Sequence, residues 1–386
     1  MSPQSSPSSD RRAVVIGGSL GGLFSAVLLQ HHGWQVDIFE RSPRELHSRG
    51  GGIILQPEVK AMLRRVGLQP ATPLGVASHE RLYLGDDGEV VERVLLPQTL
   101  TSWSTLYNIL RPAIADAHYH QGETLVRLEQ DLTGAVAFFP SGRTERGALL
   151  VAADGVGSTA RRLVLPGHEP SYAGYVAYRG LVPETALSAA SARLFRDRFV
   201  FYHYRNSHIL QYPVPGEVDG SDSGARRQNW IWYVNTDLAT ELLDVLTDQD
   251  GVYQGRSIPP GRMAADTANR LRERAGQELP PPFRELVQVT EAPFVQPVLD
   301  LEVPQMAFGR IALLGDAAFI PRPHTAASTA KAAANAMALV DSLEATECQV
   351  DRALLHWEPG QLQLGQRLVL RGQQLGDRSQ FPERMT

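Results

Sequence analysis

The sequence predicts an α/β protein of two interleaved domains, one built from parallel strand–helix units and the other from a mainly antiparallel β-sheet. Residues 12–40 alternate a strand, a glycine turn, a helix and a second strand, which is a βαβ unit. Between residues 172 and 234, aromatic residues recur with the two-residue period of a sheet. After residue 310 the pattern returns to a strand followed by a helix. The first domain is therefore discontinuous, with the sheet domain inserted into it.

The composition of the 386-residue chain excludes several classes of protein. Cys348 is the only cysteine, which excludes an intramolecular disulfide framework and a multi-cysteine zinc site, and we expect no metal. The net charge of −5 and the lack of long basic runs argue against nucleic-acid binding. No apolar stretch reaches the roughly 18 residues of a membrane span. We expect a cytoplasmic protein with no nucleic-acid or membrane partner.

The first βαβ unit carries a glycine turn that is typical of dinucleotide-binding folds. Gly17 permits a tight turn after the first strand, and Gly22 permits close packing of the helix on that strand. The helix, expected over Leu23–His32, can then receive a pyrophosphate through the free N–H groups at its N-terminus. The second strand, Trp34–Phe39, ends at Glu40, which is placed to accept hydrogen bonds from a ribose.

The remaining elements divide the chain into domains. We expect helices within Leu106–His120, near Met263–Ala275 and over Ala326–Leu343. The predicted strands are Arg12–Ile16, Leu125–Leu128, Val136–Phe139, Ala148–Ala153, Tyr175–Tyr178, Phe199–Tyr204, Ile209–Tyr212, Trp230–Val234 and Arg310–Leu314. The pattern assigns residues 11–170 and 291–386 to the nucleotide-binding domain, residues 171–290 to the inserted sheet domain, and residues 1–10 to a disordered tail.

Two further signatures, which follow the glycine turn in order, carry a family resemblance. Residues 151–161 read V-A-A-D-G-V-G-S-T-A-R, and residues 309–330 read G-R-I-A-L-L-G-D-A-A-F-I-P-R-P-H-T-A-A-S-T-A. Together the three motifs resemble those of the FAD-dependent aromatic hydroxylases of the para-hydroxybenzoate hydroxylase type, over nearly the whole chain. The resemblance implies a Rossmann-like FAD-binding domain with an inserted substrate-binding sheet domain.

The same resemblance implies an activity. Enzymes of this family are monooxygenases that use FAD, NADPH or NADH as a transient co-substrate, and O₂. They hydroxylate an electron-rich aromatic or N-heteroaromatic ring, such as a phenol or hydroxypyridine, through a flavin hydroperoxide. The implied partners of this chain are therefore a small aromatic substrate and O₂, and a homodimer, which is common in the family.

The resemblance also assigns residues to the cofactor. The glycine turn and the end of the second strand would hold the ADP half of FAD, and the segment 49–54 would lie beside the flavin ring. The N–H groups of the helix that begins near Ala327 would point at the pyrimidine end of the flavin. The implied FAD-binding residues are Gly17, Ser19, Leu20, Gly22, Glu40, Arg41, Arg49, Gly52, Ile53, Asp154, Asp316, Pro323, Ala327, Ser328 and Thr329.

Several positions depart from the family pattern. The middle glycine of the turn is Ser19, whose side chain we expect to cap the helix and bond a phosphate oxygen. Trp103 stands where the family has an arginine that contacts the cofactor, and Phe319 stands where it has a histidine. Arg111 is a candidate for the missing arginine contact.

Ring hydroxylation sets two requirements for the substrate pocket. The pocket has to exclude water, and deprotonation of a ring hydroxyl favours a base with a pKa of about 7. His324 lies inside the third motif and is the first candidate for this base, ahead of His203 and His208. The candidate catalytic residues are His324, His203 and Tyr212. An aromatic wall is expected from Tyr178, Phe201, Tyr204, Tyr212, Trp230 and Trp232.

Three other functions explain part of the pattern. An FAD-binding redox protein without hydroxylase activity is consistent with all three motifs, whereas an NAD-only dehydrogenase accounts for the glycine turn alone. A flavin-dependent halogenase is suggested by the W-x-W sequence at residues 230–232. Halogenation needs an active-site lysine, however, and neither Lys60 nor Lys331, the only lysines of the chain, fits that position.

Overall fold

The computed structural model describes residues 11–46, 51–69, 73–216 and 225–385. The predicted tail, residues 1–10, and Arg49 lie outside these described residues. The helices are α1 (Leu20–His31), α2 (Pro57–Arg65), α3 (Trp103–Leu110), α4 (Thr159–Val164), α5 (Ala189–Phe195), α6 (Leu242–Val245), α7 (Ala265–Glu278), α8 (Pro281–Gln288), α9 (Ser328–Ala345) and α10 (Val350–Gln380). The strands are β1 (Arg12–Ile16), β2 (Gln35–Glu40), β3 (Gly52–Ile54), β4 (Val76–Leu84), β5 (Val90–Ser102), β6 (Tyr119–Gln121), β7 (Arg127–Asp131), β8 (Gly134–Phe138), β9 (Thr144–Gly147), β10 (Leu149–Ala152), β11 (Ser171–Pro183), β12 (Arg198–Tyr204), β13 (Ser207–Val214), β14 (Arg227–Asn235), β15 (Phe294–Glu302), β16 (Ala307–Phe308), β17 (Ile311–Leu313) and β18 (Phe319–Ile320).

A six-stranded sheet of the described residues, in the order β16–β17–β10–β1–β2–β6, forms the centre of the first domain. β1 pairs in parallel with β10 and β2, and β10 pairs in parallel with β17. β1 and β10 are continuous apolar runs and are almost completely buried, as expected for parallel strands that are covered on both faces. Because parallel strands end at the same edge, Gly17, Asp154 and Gly315, which follow β1, β10 and β17, lie along one edge of the sheet.

A nine-stranded sheet of the described residues, in the order β18–β15–β11–β14–β13–β12–β4–β5–β3, forms the second domain. Its strand pairs are antiparallel except for β12 and β4, which are parallel. Helices α5 to α8 cover one face and share a core with Trp230, Trp232 and Val200. The opposite face, which carries Phe201, Tyr212 and Tyr233, is turned toward the first domain. The predicted mainly antiparallel sheet is therefore present.

The second sheet draws on more of the chain than the predicted division assigns to it. The sequence division places residues 52–102 and 291–320 in the first domain, whereas β3, β4 and β5 from the first stretch and β15 and β18 from the second pair within the second sheet. The physical reason is the pairing of β4 with β12, which lets β5 and β3 extend the same sheet edge. A small three-stranded sheet, β7–β8–β9, lies beside the first sheet.

The long helix α10 is absent from the sequence-based expectations. It spans 31 residues and contains Pro359, which interrupts the pattern that would otherwise indicate a helix. Its Trp357 is buried and donates to the Asn335 carbonyl of α9 at 3.0 Å. Its end reaches the second sheet, where the Asn235 side chain donates to the Gln380 carbonyl at 2.9 Å. α10 therefore links the two domains.

Among the described residues, no helix combines the length and the apolar character that crossing a membrane requires.

Candidate active site

Two cavities meet between the two sheets. The larger has a volume of about 1410 Å³ and is bounded by the second sheet, by the segment 320–329 and by residues 154–157. The smaller, of about 220 Å³, lies at the glycine turn and the end of β2. Both cavities are lined by Arg41, Trp103, Asp154 and Gly155. They therefore form one elongated space that runs from the turn after β1 to the N-terminus of α9.

The glycine turn has the geometry that the sequence predicts. Gly17 has a φ of +102°, and a Cβ atom there would collide with the Ala153 carbonyl. Likewise, a Cβ atom on Gly22 would collide with the Gly17 carbonyl oxygen, so α1 packs directly against the turn. The N-terminus of α1 has no side-chain cap, which leaves its first N–H groups available to an anion.

Ser19 occupies the N-cap position of α1, but the prediction that its side chain caps the helix is wrong. The Ser19 carbonyl accepts the first helical hydrogen bond from the Leu23 N–H at 2.9 Å, while its side chain makes no cap bond. The side chain instead lines the smaller cavity. The Ser19 hydroxyl therefore lies beside the free N–H groups of α1 and does not occupy them, so they remain available to a ligand.

Glu40 is buried at the end of β2 and closes the turn. One carboxylate oxygen accepts from the Gly18 N–H and the other from the Ser42 N–H, each at 2.8 Å. A carboxylate has about four lone-pair sites, so each oxygen retains acceptor capacity toward the smaller cavity that Glu40 lines. The carboxylate therefore both rigidifies the turn and remains able to bind a ribose.

Asp154 and Asp316 line the larger cavity, and each is also tied to the protein. Asp154 accepts from the Thr159 N–H at 2.7 Å and from the Ser158 hydroxyl at 2.5 Å, at the start of α4. Asp316 accepts from the buried Lys331 ammonium at 2.9 Å. Burial lowers the pKa of Lys331, and the Asp316 carboxylate opposes this shift. Lys331 is thus a structural partner of Asp316.

Helix α9 begins at the larger cavity without a capping side chain. Its N-cap is Ala327, and Ala327, Ser328 and Thr329 line the cavity. The turn before it contains Ala326 at a φ of +51°, which allows the chain to reverse from Pro323 into the helix. The first N–H groups of α9 and its positive dipole end therefore face the cavity, where they favour a negatively charged or carbonyl-bearing group.

These features fit an FAD molecule. The collisions that a Cβ atom would meet at Gly17 and Gly22 show a turn shaped for close approach of a pyrophosphate. Glu40 is available to the ribose, and the elongated space leads from there to the uncapped N-terminus of α9, which suits the pyrimidine end of a flavin. Of the implied set, Leu20 and Gly22 line neither cavity, and the other members among the described residues line at least one.

The expected aromatic wall is only partly correct. Phe201 and Tyr212 line the larger cavity, whereas Tyr178, Trp230 and Trp232 lie in the core beneath α6 to α8. Tyr204 packs against the same core and donates to Glu278 at 2.7 Å. The reason is strand alternation, which sends neighbouring residues to opposite faces. Besides Phe201 and Tyr212, the cavity face of the sheet carries Ala177, Arg179, Phe199, His203, His208, Leu210, Ile231 and Tyr233.

Three histidines cluster on this wall. The rings of His203 and His208 stack with centroids 4.9 Å apart, and those of His208 and His324 lie 5.2 Å apart. Tyr233 lies next to two of them, with its centroid 4.4 Å from that of His324 and 4.6 Å from that of His208. Tyr212, on the same wall, is buried. The three candidate catalytic residues therefore share one cavity with His208.

The pKa expected for the catalytic base is not found in the structure. Burial, the Arg322 charge and His203 lower the pKa of His324 to about 3. Burial also lowers the pKa of His203, and burial together with His324 and His203 lowers that of His208 well below its usual range. Burial raises the pKa of Tyr212 to about 12. All four side chains are therefore neutral near pH 7, and none has the pKa of about 7 that favours a general base.

The positions where the sequence departs from the family pattern have separate explanations. Trp103 lines both cavities where they meet. Phe319 is buried in the first core. Arg111 lines neither cavity, because it pairs with Asp116 at 2.7 Å and stacks on Tyr119 at 4.1 Å; the structure contradicts it as a cofactor contact. The W-x-W tryptophans face away from the cavity, which argues against a halogenase. Lys60, in contrast to the expectation that it does not fit an active-site position, lines the cavity, and its ammonium lies 3.5 Å from the Thr99 hydroxyl.

Sequence reasoning missed part of the cavity wall. Leu375 and Ser379 of α10 line the larger cavity, and the Ser379 hydroxyl lies 2.5 Å from His208 Nδ1. Tyr175 lies behind the wall and hydrogen-bonds His324 Nε2 at 2.8 Å. Only weak features of the sequence indicate these contacts. Tyr175 is in phase with the residues of β11 that face the cavity, and Gly365, Gly372 and Gly376 are spaced along one side of α10.

Comparison with known proteins finds relatives over nearly the whole chain. A family model described as an FAD binding domain matches residues 10–188, and one described as FAD binding domain-like matches residues 172–300. The 2,6-dihydroxypyridine 3-monooxygenase of Paenarthrobacter nicotinovorans is 33% identical over 376 residues, which cover 97% of this chain and 93% of that protein. The 6-hydroxynicotinate 3-monooxygenase of Bordetella bronchiseptica is 27% identical over 351 residues, which cover 88% of this chain and 84% of that protein.

A solved structure agrees with these sequence relatives. The structure of 2,6-dihydroxypyridine-3-hydroxylase from Arthrobacter nicotinovorans matches with a TM-score of 0.90 and 32% identity, and the match covers 97% of this chain and 94% of that one. The predicted fold class, the predicted cofactor FAD and the predicted aromatic-ring monooxygenase activity are confirmed. The chain belongs to the family of FAD-dependent aromatic-ring monooxygenases.

Proposed function

We propose that this enzyme hydroxylates a small, uncarboxylated hydroxypyridine, with 2,6-dihydroxypyridine as the first substrate to test. The observation that carries the proposal is the larger cavity, which is lined by neutral imidazoles, by apolar rings and by the N-terminus of α9. This lining suits a flat ring with polar substituents on one side. The 33% identity to a 2,6-dihydroxypyridine 3-monooxygenase over 97% of the chain supports the same substrate.

The proposed roles of the cofactor residues follow from the elongated space. Gly17, Ser19 and the first N–H groups of α1 would bind the pyrophosphate, and Glu40 with Arg41 would bind the adenosine ribose. Asp154 and Asp316 would contact the chain that joins the pyrophosphate to the flavin. Gly52, Ile53 and Pro323 would pack on the flavin ring, and the N–H groups of Ala327, Ser328 and Thr329 would face its pyrimidine edge.

The chemistry of oxygen transfer belongs to FAD, which, when bound and reduced by NADH or NADPH, activates O₂ for attack by an electron-rich ring. The protein contributes three things. The dipole and N–H groups of α9 stabilise negative charge at the pyrimidine edge. Phe199, Phe201 and Leu210 exclude water from the cavity wall. The histidines and Tyr212 hold the substrate ring at a fixed orientation.

The experiment that tests this substrate is a coupled assay on the purified protein. We expect a yellow protein whose oxidation of NADH or NADPH is stimulated by 2,6-dihydroxypyridine, with a hydroxylated product that mass spectrometry detects. The matched comparison compounds are 6-hydroxynicotinate, which adds a carboxylate, and phenol, which lacks the ring nitrogen. Equal or greater turnover of 6-hydroxynicotinate would contradict the proposal. No stimulation by any aromatic compound would instead support a redox protein without hydroxylase activity.

We extend the proposal to the state of the enzyme in the cell, as a homodimer in the cytoplasm. The homodimer is supported by its frequency in the family, and the cytoplasm by the need for reduced nicotinamide nucleotide. Size-exclusion chromatography with light scattering tests the oligomeric state, and a single peak at the 42.3 kDa mass of the monomer would contradict a dimer. Cell fractionation tests the location.

A further inference from the structure

Two imidazoles of the cavity wall each have one ring nitrogen engaged by groups behind the wall. These are His208, on β13, and His324, in the turn before α9; we call them the imidazole pair. The pair lines the larger cavity, with ring centroids 5.2 Å apart. Within the described residues, no hydrogen-bond partner is found for His208 Nε2 or His324 Nδ1. Each ring therefore has one nitrogen available to a molecule in the cavity.

The engaged nitrogen of His208 is an acceptor. The side-chain amide of Gln380 donates from Nε2 to the Ser379 hydroxyl oxygen at 3.0 Å, and the same Nε2 lies 3.3 Å from His208 Nδ1. Because the Ser379 oxygen accepts from Gln380, its own hydrogen is free to donate to His208 Nδ1, which is 2.5 Å away. A neutral imidazole that accepts at Nδ1 carries its proton on Nε2. His208 thus offers an N–H group to the cavity.

The engaged nitrogen of His324 is also an acceptor. Its Nε2 lies 2.8 Å from the Tyr175 hydroxyl, and the Arg322 guanidinium lies beside Tyr175, 5.6 Å from the centre of its ring. A neighbouring cation favours the orientation in which the hydroxyl oxygen faces it and the hydrogen points away, so the Tyr175 hydroxyl donates to His324. The proton of His324 is then on Nδ1. His324 therefore offers a second N–H group to the cavity.

The group that sets this polarity is buried and firmly held. Arg322 is 6% exposed and donates to both oxygens of Asp300, from Nε at 3.0 Å and from Nη2 at 2.8 Å. It also donates to Asp377 of α10 at 2.7 Å. Its hydrogen bonds with these two carboxylates raise the pKa of Arg322 against the effect of burial. A permanent cation beside Tyr175 thus favours the orientation in which the Tyr175 hydroxyl donates to His324.

We propose that the imidazole pair binds the substrate through two N–H donors, His208 Nε2–H and His324 Nδ1–H, and so selects rings that present oxo or oxyanion oxygens. This inference rests on the proposed function and names its substrate class: hydroxypyridines bound as the pyridone tautomer or the ring anion. Tyr175 and Ser379 are positioning residues, because they act on the substrate only through the tautomers they fix. The imidazole pair does not deprotonate the ring.

The surroundings of the pair agree with this assignment. The charged and titratable groups that face it are Arg322 with its two carboxylate partners, and His203, Tyr175 and Tyr233. Burial, with the positive charge of Arg322, keeps the pKa of His324 low, so the ring stays neutral and retains one acceptor nitrogen and one N–H. An oxygen with negative charge would be stabilised by two donors in a site of low dielectric constant.

The first test reads the tautomers directly. Two-bond ¹H–¹⁵N spectra of the FAD-loaded protein with labelled histidine distinguish Nδ1–H from Nε2–H. We expect His208 as the Nε2–H tautomer and His324 as the Nδ1–H tautomer, both unchanged between about pH 6 and 8. Tyr175→Phe should disturb the His324 signal and leave His208 unchanged, and Ser379→Ala should do the reverse. An imidazolium signal or the opposite tautomers would overturn the proposal.

The second test uses side-chain amides that mimic one ring nitrogen each. Asparagine places its NH₂ near the position of imidazole Nδ1, and glutamine near that of Nε2. We therefore expect a crossed pattern in kcat/KM for 2,6-dihydroxypyridine: His324→Asn exceeds His324→Gln by about tenfold, and His208→Gln exceeds His208→Asn by about tenfold, the effect of one hydrogen bond. If glutamine and asparagine are equivalent at both positions, the N–H assignment fails.

The two tests separate this inference from the proposed function. The spectra need no turnover, so they report the tautomers even if 2,6-dihydroxypyridine is not a substrate. In that case binding of pyridin-2-one, which presents an oxo oxygen, is compared with binding of pyridine by calorimetry. Tighter binding of pyridin-2-one that is lost in His324→Gln supports the donors, and equal binding of both compounds contradicts them.

Discussion

Three histidines lie on the cavity wall, and each is surrounded by groups that disfavour its charged form. His203 and His208 stack on each other, and His324 lies beside the Arg322 cation through Tyr175. The sequence could suggest histidines near the flavin but could not indicate their ionisation, because the responsible charge and burial come from separate parts of the chain. The three histidines of this site are therefore neutral at physiological pH and are not poised to act as bases.

The lowered histidine pKa values make stability dependent on pH. In the unfolded chain a histidine has a pKa of about 6.5, whereas that of His324 in the folded protein is about 3. As pH falls below about 6.5, the unfolded chain binds protons that the folded protein does not, so the free energy of unfolding decreases. We expect a loss of up to about 1.4 kcal/mol per pH unit from His324 between these two values.

Urea unfolding at a series of pH values, from about 7.5 to 5, measures this loss. His324→Asn is the matched control, since it removes one titrating group while keeping the size of the side chain small. Its free energy of unfolding should decrease less steeply with acid than that of the wild-type protein. Parallel slopes for the two proteins would show that His324 is not held neutral.

Two helices reach the active site, α9 with its N-terminus and α10 with its C-terminal end. α9 presents its uncapped N-terminus to the larger cavity, and α10 presents its last turn, with Ser379 next to His208. The first arrangement brings backbone N–H groups to the flavin position, and the second brings a hydroxyl to the substrate wall. The dipole of α9 therefore has an electrostatic role, whereas the end of α10 has a positioning role.

A carboxylate introduced at the start of α9 should affect the stability of the helix and the binding of FAD in opposite directions. Ser328→Asp places a negative charge in the first turn, which stabilises a helix by about 0.3 to 1 kcal/mol. The same charge lies on the cavity side, where the pyrimidine edge of FAD would carry negative charge. We expect the cofactor-free protein to melt at a slightly higher temperature, while the affinity for FAD, measured by flavin fluorescence, falls at least about tenfold.

Ser328→Asn controls for size and hydrogen bonding without the charge, and it should keep most of the FAD affinity. If Ser328→Asp binds FAD as tightly as Ser328→Asn, the N-terminus of α9 does not face the flavin. A lower melting temperature of cofactor-free Ser328→Asp would mean that the substitution acts through packing.

Elements whose determinants are local could be predicted from the sequence, and elements defined by distant contacts could not. Gly17 and Glu40 lie within one βαβ unit, so their roles follow from the turn and from the strand that ends beside it. His208 and Ser379 are 171 residues apart, and no local pattern joins them. The sequence also does not indicate which face of the sheet each set of alternating residues occupies. Tyr212 and Trp230 both fit an alternating pattern, yet they lie on opposite faces of the sheet.

At the scale of the molecule, α10 ties the two domains together at a point where atoms approach closely. A Cβ atom on Gly376 would lie 2.5 Å from the Tyr175 hydroxyl and 2.8 Å from Arg322 Nη1. Only glycine at this position lets α10 pack against Tyr175 and Arg322, the residues that orient His324. The contact between α10 and the rest of the protein therefore lies at Tyr175 and Arg322, the side chains behind His324 on the cavity wall.

Gly376→Ala should accordingly push α10 away from this junction. We expect a loss of stability of about 1 to 3 kcal/mol from overpacking, measured by urea unfolding, together with a higher KM for the substrate. Gly360→Ala is the matched control, because it lies in the same helix with no atom within 4 Å of the added Cβ. That change should stabilise the protein by up to about 1 kcal/mol. Equal effects of the two changes would contradict the close junction.

The pairing of distant strands bears on how the protein folds. β10 pairs with β17 through Leu150 and Ile311, and β4 pairs with β12 through Arg81 and Phe199, so each sheet closes only when segments more than a hundred residues apart meet. Such long-range pairing costs loop entropy before it is rewarded, and it slows folding. Neither sheet is complete in either half of the chain. Neither domain can therefore be completed from one continuous segment, and exchanging one of them with a relative requires exchanging three separate segments.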